Sequence, residues 1–163
     1  MLRAATRTAA AEADVVVVMM HWGTEYATCA DAPQTATATA LEADGADVVV
    51  GGHAHRLQGG GWLGRSYVGY ALGNFVWWRS AEPEARSGVL TLTVDAQAAR
   101  DRGRASGAAR RTASSLITSA AWAPLLIGTD GVPRPPADAA TTTRLRGIWD
   151  DAVACSGLRA TAG

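Results

Sequence analysis

Two apolar, β-branched runs each deliver histidine at their C-terminal end, and their spacing dictates the fold class. Val15–Met20 runs straight into His21-Trp22-Gly23, and Asp47–Val50 into Gly51-Gly52-His53-Ala54-His55. Neither run alternates, so both read as strands buried on both faces, with Val15–Met20 as a central one. Between them, residues 34–44 read as a helix, and Gly45 stands where a left-handed C-cap is expected. A strand–helix–strand unit pairs its strands in parallel. It therefore places His21, His53 and His55, all the histidines of the chain, at one C-terminal sheet edge. Ligands and catalytic groups collect at that edge in open α/β sheets.

Composition limits what surrounds this unit. The chain has 163 residues, enough for one domain, and 48% of them are apolar. Ala supplies 35 of these, whereas Leu, Ile, Val and Phe together supply 29, a thin stock of large side chains. Residues 2–13, rich in Ala and free of Gly and Pro, favour helix. Ser66–Leu72 alternates loosely, Gly73-Asn74 marks a turn, and Phe75–Trp78 resumes the strand pattern. Val89–Val94 is the cleanest strand. Residues 96–113 hold almost no large apolar side chain and read as a surface loop. Leu116–Ile117 and Trp122–Ile127 offer one strand or two. The division expected is a domain over 1–136 and a poorly ordered tail over 137–163, with one short helix near Trp149.

Charge and cysteine content remove several functions. Fifteen arginines balance fifteen acidic residues, which excludes a strongly basic nucleic-acid binder. The longest apolar run has six residues, against the ~20 of a membrane span, and Glu12 and Asp14 interrupt any signal-peptide core. As the chain stands, this reads as cytoplasmic. Cys29 and Cys155 cannot make a disulfide framework or a four-thiolate zinc site; free thiols and a single bridge both stay open.

The histidines carry the chemistry. An H-x-H after two glycines can aim two imidazoles at one ion or at two neighbouring ions. Leu57 and Gln58 stand where a zinc-hydrolase H-x-H-x-D-H loop needs Asp and His, and the chain is too short for an amidohydrolase barrel. It contains no G-x-S-x-G elbow, phosphate-binding P-loop or H-E-x-x-H.

Four ordered motifs resemble one family. His21-Trp-Gly-Thr-Glu25-Tyr, Pro33-Gln34, Gly45-Ala-Asp-Val-Val-Val-Gly-Gly-His-Ala-His-Arg-Leu-Gln58 and Tyr70-Ala-Leu-Gly-Asn-Phe75 are similar to the poly-γ-glutamate capsule synthesis (CapA-type) family of the calcineurin-like metallophosphoesterase superfamily. Ser87–Leu92, Ala123–Ile127 and Gly131–Pro133 extend the similarity to about Pro136. The resemblance implies an α/β fold, a two-sheet sandwich flanked by helices, with this chain as its C-terminal half. It implies divalent ions of the Mn, Zn or Fe class, two in a full-length parent. His21 and His53 match ligands of one ion and His55 a ligand of the other. Each must be neutral to coordinate, so affinity falls below the ordinary histidine pKa of about 6.5. Glu25 matches a cleft position that orients His21 or touches substrate, with a surface salt bridge as its competing role. Gly52 and Asn74 match structural positions beside the site, Asn74 bonding the turn backbone. Trp22, Tyr26, Trp77 and Trp78 read as sheet and cleft packing.

The chain departs from the family by lacking a D-x-H motif and an Asn-His pair. The expectation is thus a CapA-like fragment of a dinuclear hydrolase acting on a phosphoester or γ-glutamyl polymer. The alternatives are a non-catalytic capsule-assembly module and an inactive truncated gene product. The expected partners are the missing N-terminal half or a capsule-synthesis complex, and full-length relatives are membrane-associated or exported.

Overall fold

The computed structural model describes residues 1–104 and 114–162. Helix α1 (Leu2–Glu12) leads into strand β1 (Val17–Trp22), and helix α2 (Ala32–Asp44) returns the chain to β2 (Val48–His53). Strands β3 (Leu57–Leu63), β4 (Ser66–Leu72) and β5 (Arg86–Val94) follow, then helix α3 (Ala96–Arg104). Strands β6 (Ile117–Ile127) and β7 (Pro133–Arg134) and helix α4 (Ala139–Ser156) complete the order. The result is a mixed α/β sandwich of two sheets. The first has the order β1-β2-β4-β3 and the second β5-β6-β7.

The expected parallel unit forms. β1 pairs with β2 in parallel, with His21 opposite Gly52 and Trp22 opposite His53. Asp31 and Gln34 close a reciprocal capping box at the start of α2, and Gly45 takes the left-handed C-cap with φ 106°. One face of the first sheet sends Val18, Met20, Val49, Val68 and Tyr70 against Ala38 and Leu41 of α2. The other sends Val48, Val50, Trp62 and Tyr67 against Leu90, Leu92 and Ile117 of the second sheet. Burial lifts the Tyr67 hydroxyl to a pKa of about 12. A third cluster, with Trp122 stacked on Trp149 at 4.6 Å, seats α4.

Four expectations need correction. β1 is an edge strand, with Val17 62% and Met19 84% exposed, because nothing flanks it on its outer side among the described residues. Phe75–Trp78 is no strand; Phe75, Val76 and Trp78 lie exposed in a loop. Residues 96–104 form α3, although they carry almost no large apolar group. That helix is held by Arg102, buried and bonded bidentately to buried Asp47 with a 2.6 Å contact to Oδ2. Residues 105–113 of the expected loop lie outside the described residues. Within the expected tail, residues 139–156 are an 18-residue helix capped by Asp138, bonded to Thr141 N–H at 2.7 Å. Composition concealed it because its anchors, Leu145, Trp149 and Ala152, are few but fully used.

The two cysteines form one bridge, Cys29–Cys155, tying α4 to the loop after β1 across 126 residues of sequence. In a chain-entropy account a loop of that size stabilises the fold by about 4–5 kcal/mol. No helix among the described residues is long and apolar enough to cross a membrane.

Glu82 fixes the other end of α4. Arg144 and then Arg86 hydrogen-bond its carboxylate and hold its pKa at about 2, below the ordinary 4.5. A depressed carboxylate contributes its full stabilisation above its unfolded-state pKa and loses it as pH falls through the folded value. Glu82→Gln should therefore flatten the decline of thermal stability between about pH 4.5 and 2. Parallel melting curves for both proteins across that range would contradict the assignment.

Candidate metal centre

The backbone at the C-terminal ends of β1 and β2 does unusual things to place three imidazoles together. The left-handed backbone here is taken by the histidines and not by Gly51 or Gly52. His53 has φ 104° and His55 φ 54°, and with Tyr26 at 66° they are the non-glycine residues in the left-handed region among those described. Such conformations cost on the order of 1–3 kcal/mol each and persist where surrounding contacts impose them. Gly51 is needed for a different reason. The Trp22 indole crosses over it to donate from Nε1 to the Tyr70 carbonyl at 2.8 Å, and a Cβ there would sit 2.0 Å from that nitrogen. Gly52, singled out from sequence, has open space where a Cβ would point.

The imidazoles form a row. His21 and His53 have ring centroids 4.5 Å apart, and His53 and His55 6.1 Å. His53 is thus the middle member. The group that Glu25 joins is His53 and His55, and His21 is not in it. Glu25 brings a carboxylate oxygen to that pair, with one ligand atom from each of the three residues all within 4.8 Å of one another. Glu25 and His21 are exposed and the other two half-buried, so the group opens to solvent.

Asn74 does more than bond a turn. Its Nδ2 donates to the Glu84 carbonyl at 3.0 Å, which leaves Oδ1 to face His55 Nδ1 at 2.6 Å. Oδ1 is an acceptor only, so His55 Nδ1 is the donor, and in the neutral imidazole Nε2 then keeps its lone pair for the cleft. His55 also lies against Trp77, centroids 5.0 Å apart, while Tyr26 and Trp78 are exposed at the rim. Trp22 thus packs in the sheet and Trp77 in the cleft, and Tyr26 and Trp78 line the same cleft with their rings largely exposed. Arg56 lies over Tyr26 and Arg79 over Trp78, at 4.7 and 4.6 Å.

Sequence reasoning missed the clasp behind the Glu25 loop. Gln34 Nε2 donates to Gln58 Oε1 at 2.8 Å, and Gln58 Nε2 donates to the carbonyls of Ala27 and Cys29 at 3.1 and 3.2 Å. Tyr26 N–H adds a bond to the Ala54 carbonyl at 2.7 Å. Both glutamines are essentially fully buried, where every amide group must be satisfied. The signal was present in the sequence as Pro33-Gln34 and Leu57-Gln58, but their mutual contact depends on the fold.

If Asn74 sets the His55 tautomer, its loss should be felt at Nε2. Asn74→Ala is expected to weaken Zn²⁺ or Mn²⁺ binding roughly 10- to 100-fold, the range for removing a partner behind a ligating histidine. An unchanged affinity in titration calorimetry, with the fold intact by circular dichroism, would contradict this role.

Residues 1–77 match the family model described as Bacterial capsule synthesis protein PGA_cap. Every residue of the row and its supports falls inside that stretch. Over 64 residues, 39% of this chain, the sequence is 45% identical to the Capsule biosynthesis protein CapA of Bacillus anthracis. Over the same length it is 42% identical to the PGA biosynthesis protein CapA of Bacillus subtilis (strain 168). The matched stretch spans only 16% and 17% of those two proteins. Residues 1–77, a little under half of the chain, are thus similar to the CapA-type capsule synthesis family.

Proposed function

We propose that this chain forms the histidine side of a divalent-metal centre in a CapA-like capsule biosynthesis protein. The observation that carries the reading is the convergence of Glu25, His53 and His55, with His21 one ring further along. The donor set fits the group. Neutral imidazoles and a carboxylate suit Zn²⁺ and Mn²⁺, and metal–ligand bonds of about 2.0–2.2 Å need only modest closing of these side chains. Asn74 supplies the outer support that ligating histidines ordinarily have. A divalent ion held there supplies Lewis-acid chemistry toward a phosphoester or a γ-glutamyl acyl group. The residues of this chain would hold that ion, orient His55 and line the rim with Tyr26 and Trp78. Three histidines and one carboxylate are too few for two ions, so further ligands come from a partner segment, the remainder of a CapA-type polypeptide.

A second reading, a non-catalytic assembly module, is favoured by the exposed apolar edge of β1. Metal binding separates the two. His53→Ala should weaken Mn²⁺ or Zn²⁺ affinity at least ~10-fold in calorimetric titration, because it removes the middle ligand of the row. Equal affinities for wild type and variant would defeat the metal reading and leave the assembly module.

A further inference from the structure

A second cleft, of about 240 Å³, shares Glu25 and His55 with the histidine site. The loop between β4 and β5 supplies its other wall with Trp77, Trp78, Arg79 and Glu84. Tyr26 and Trp78 stand 48% and 72% exposed at its mouth, and bare aromatic surface of this kind marks binding grooves. One face of each ring is nevertheless taken. The Arg56 guanidinium lies over Tyr26 at 4.7 Å and the Arg79 guanidinium over Trp78 at 4.6 Å. The rings thus seat two cations beside the cleft, which suits an acidic ligand better than a stacked planar one.

The charges around these cations do not balance. Arg56 and Arg79 face the same carboxylate oxygen, Glu84 Oε1, at 3.9 and 3.3 Å. One carboxylate between two guanidiniums leaves one positive charge in surplus. Glu25, the other acid of the cleft, belongs to the group with His53 and His55. The two arginines are not equivalent. The Arg56 side chain is 14% exposed and also donates to the His55 carbonyl at 2.8 Å. The Arg79 side chain is 46% exposed, and among the described residues Glu84 is its one hydrogen-bond acceptor. A guanidinium carries five N–H donors in a planar fork that fits a carboxylate with two bonds. Arg79 therefore keeps room for a second carboxylate.

Arg79 is also set apart from the histidines. From His55 the cleft passes the Trp77 ring at 5.0 Å and then the Trp78 ring, 6.2 Å from Trp77, on which Arg79 lies. A ligand that reaches both His55 and Arg79 is thus a chain and not a single small anion. We infer that Arg79 is a specificity-determining residue, the seat of a carboxylate carried along an extended acidic substrate of the histidine site. One carboxylate matches the one surplus charge, whereas a phosphate monoester brings nearly two negative charges. The inference rests on the metal-centre reading for its setting, but the contact at Arg79 itself needs no ion.

Calorimetric titration of a γ-linked glutamate pentamer into the whole chain, first in EDTA and then with Mn²⁺, tests this. In EDTA the glutamate pentamer should bind and the matching glutamine pentamer should not. Arg79→Gln should weaken that binding roughly 10-fold or more, the range for losing a hydrogen bond between charged groups. Arg79→Lys, which keeps the charge without the fork, should fall between the two. Because Arg79 is exposed, both variants should melt as the wild type does. No binding of the glutamate pentamer in EDTA, or equal affinities for wild type and Arg79→Gln, would overturn the inference. So would tripolyphosphate binding more tightly than the pentamer with the same dependence on Arg79, which would give the seat to phosphate. Failure of the metal reading shows separately, as absence of Mn²⁺ binding with the EDTA series unaffected.

Discussion

The Trp22 indole, laid across the bare Cα of Gly51 and bonded to the Tyr70 carbonyl, ties the ends of three adjacent strands together. β1 has only one strand neighbour, and a net hydrogen bond contributes only about 1 kcal/mol. Its position matters more than its energy. It spans β2 to reach β4 at the level where His21 and His53 leave their strands, and so holds β1 in the register that stacks those two rings. A slip of one residue would turn His21 to the opposite face and dissolve the row. The Gln34–Gln58 pair does the same for the Glu25 loop, and Asn74 for the His55 ring. The left-handed backbone at His53 and His55 is imposed by these surrounding bonds.

Much of this was legible in the sequence because it is local. The β-branched runs, the Gly45 cap and the strand–helix–strand spacing specify a parallel pair, and a parallel pair specifies that the histidines share an edge. Asn74 and Glu25 could be placed near the cleft by their motifs. Their partners could not, since Asn74 reaches His55 across 19 residues and Glu25 meets His53 and His55 across a gap of 28 or more. The buried glutamines show the same limit. Each reads as a polar residue of no distinction until the other lies within 2.8 Å.

Two differences between sequence and structure have opposite physical causes. An unbroken apolar run such as Val15–Met20 says that a strand expects neighbours on both faces and both edges. It does not say that this chain supplies them. The run reads as central, and the structure places it at an edge with Val17 and Met19 bare. The helix at 139–156 misled in the opposite sense. Its Thr-, Ala- and Arg-rich surface hides three anchoring residues, and the bridge to Cys29 adds a covalent hold that composition cannot reveal.

The central claim is that the sheet edge bearing His21, His53 and His55 is a metal centre. The most direct measurement is an anomalous-difference map from crystals of the protein grown with Zn²⁺ or Mn²⁺. The account predicts a peak within bonding distance of His53 and His55, with Glu25 drawn in beside them. Peaks confined to other carboxylates, with the three imidazoles unliganded at saturating metal, would contradict it.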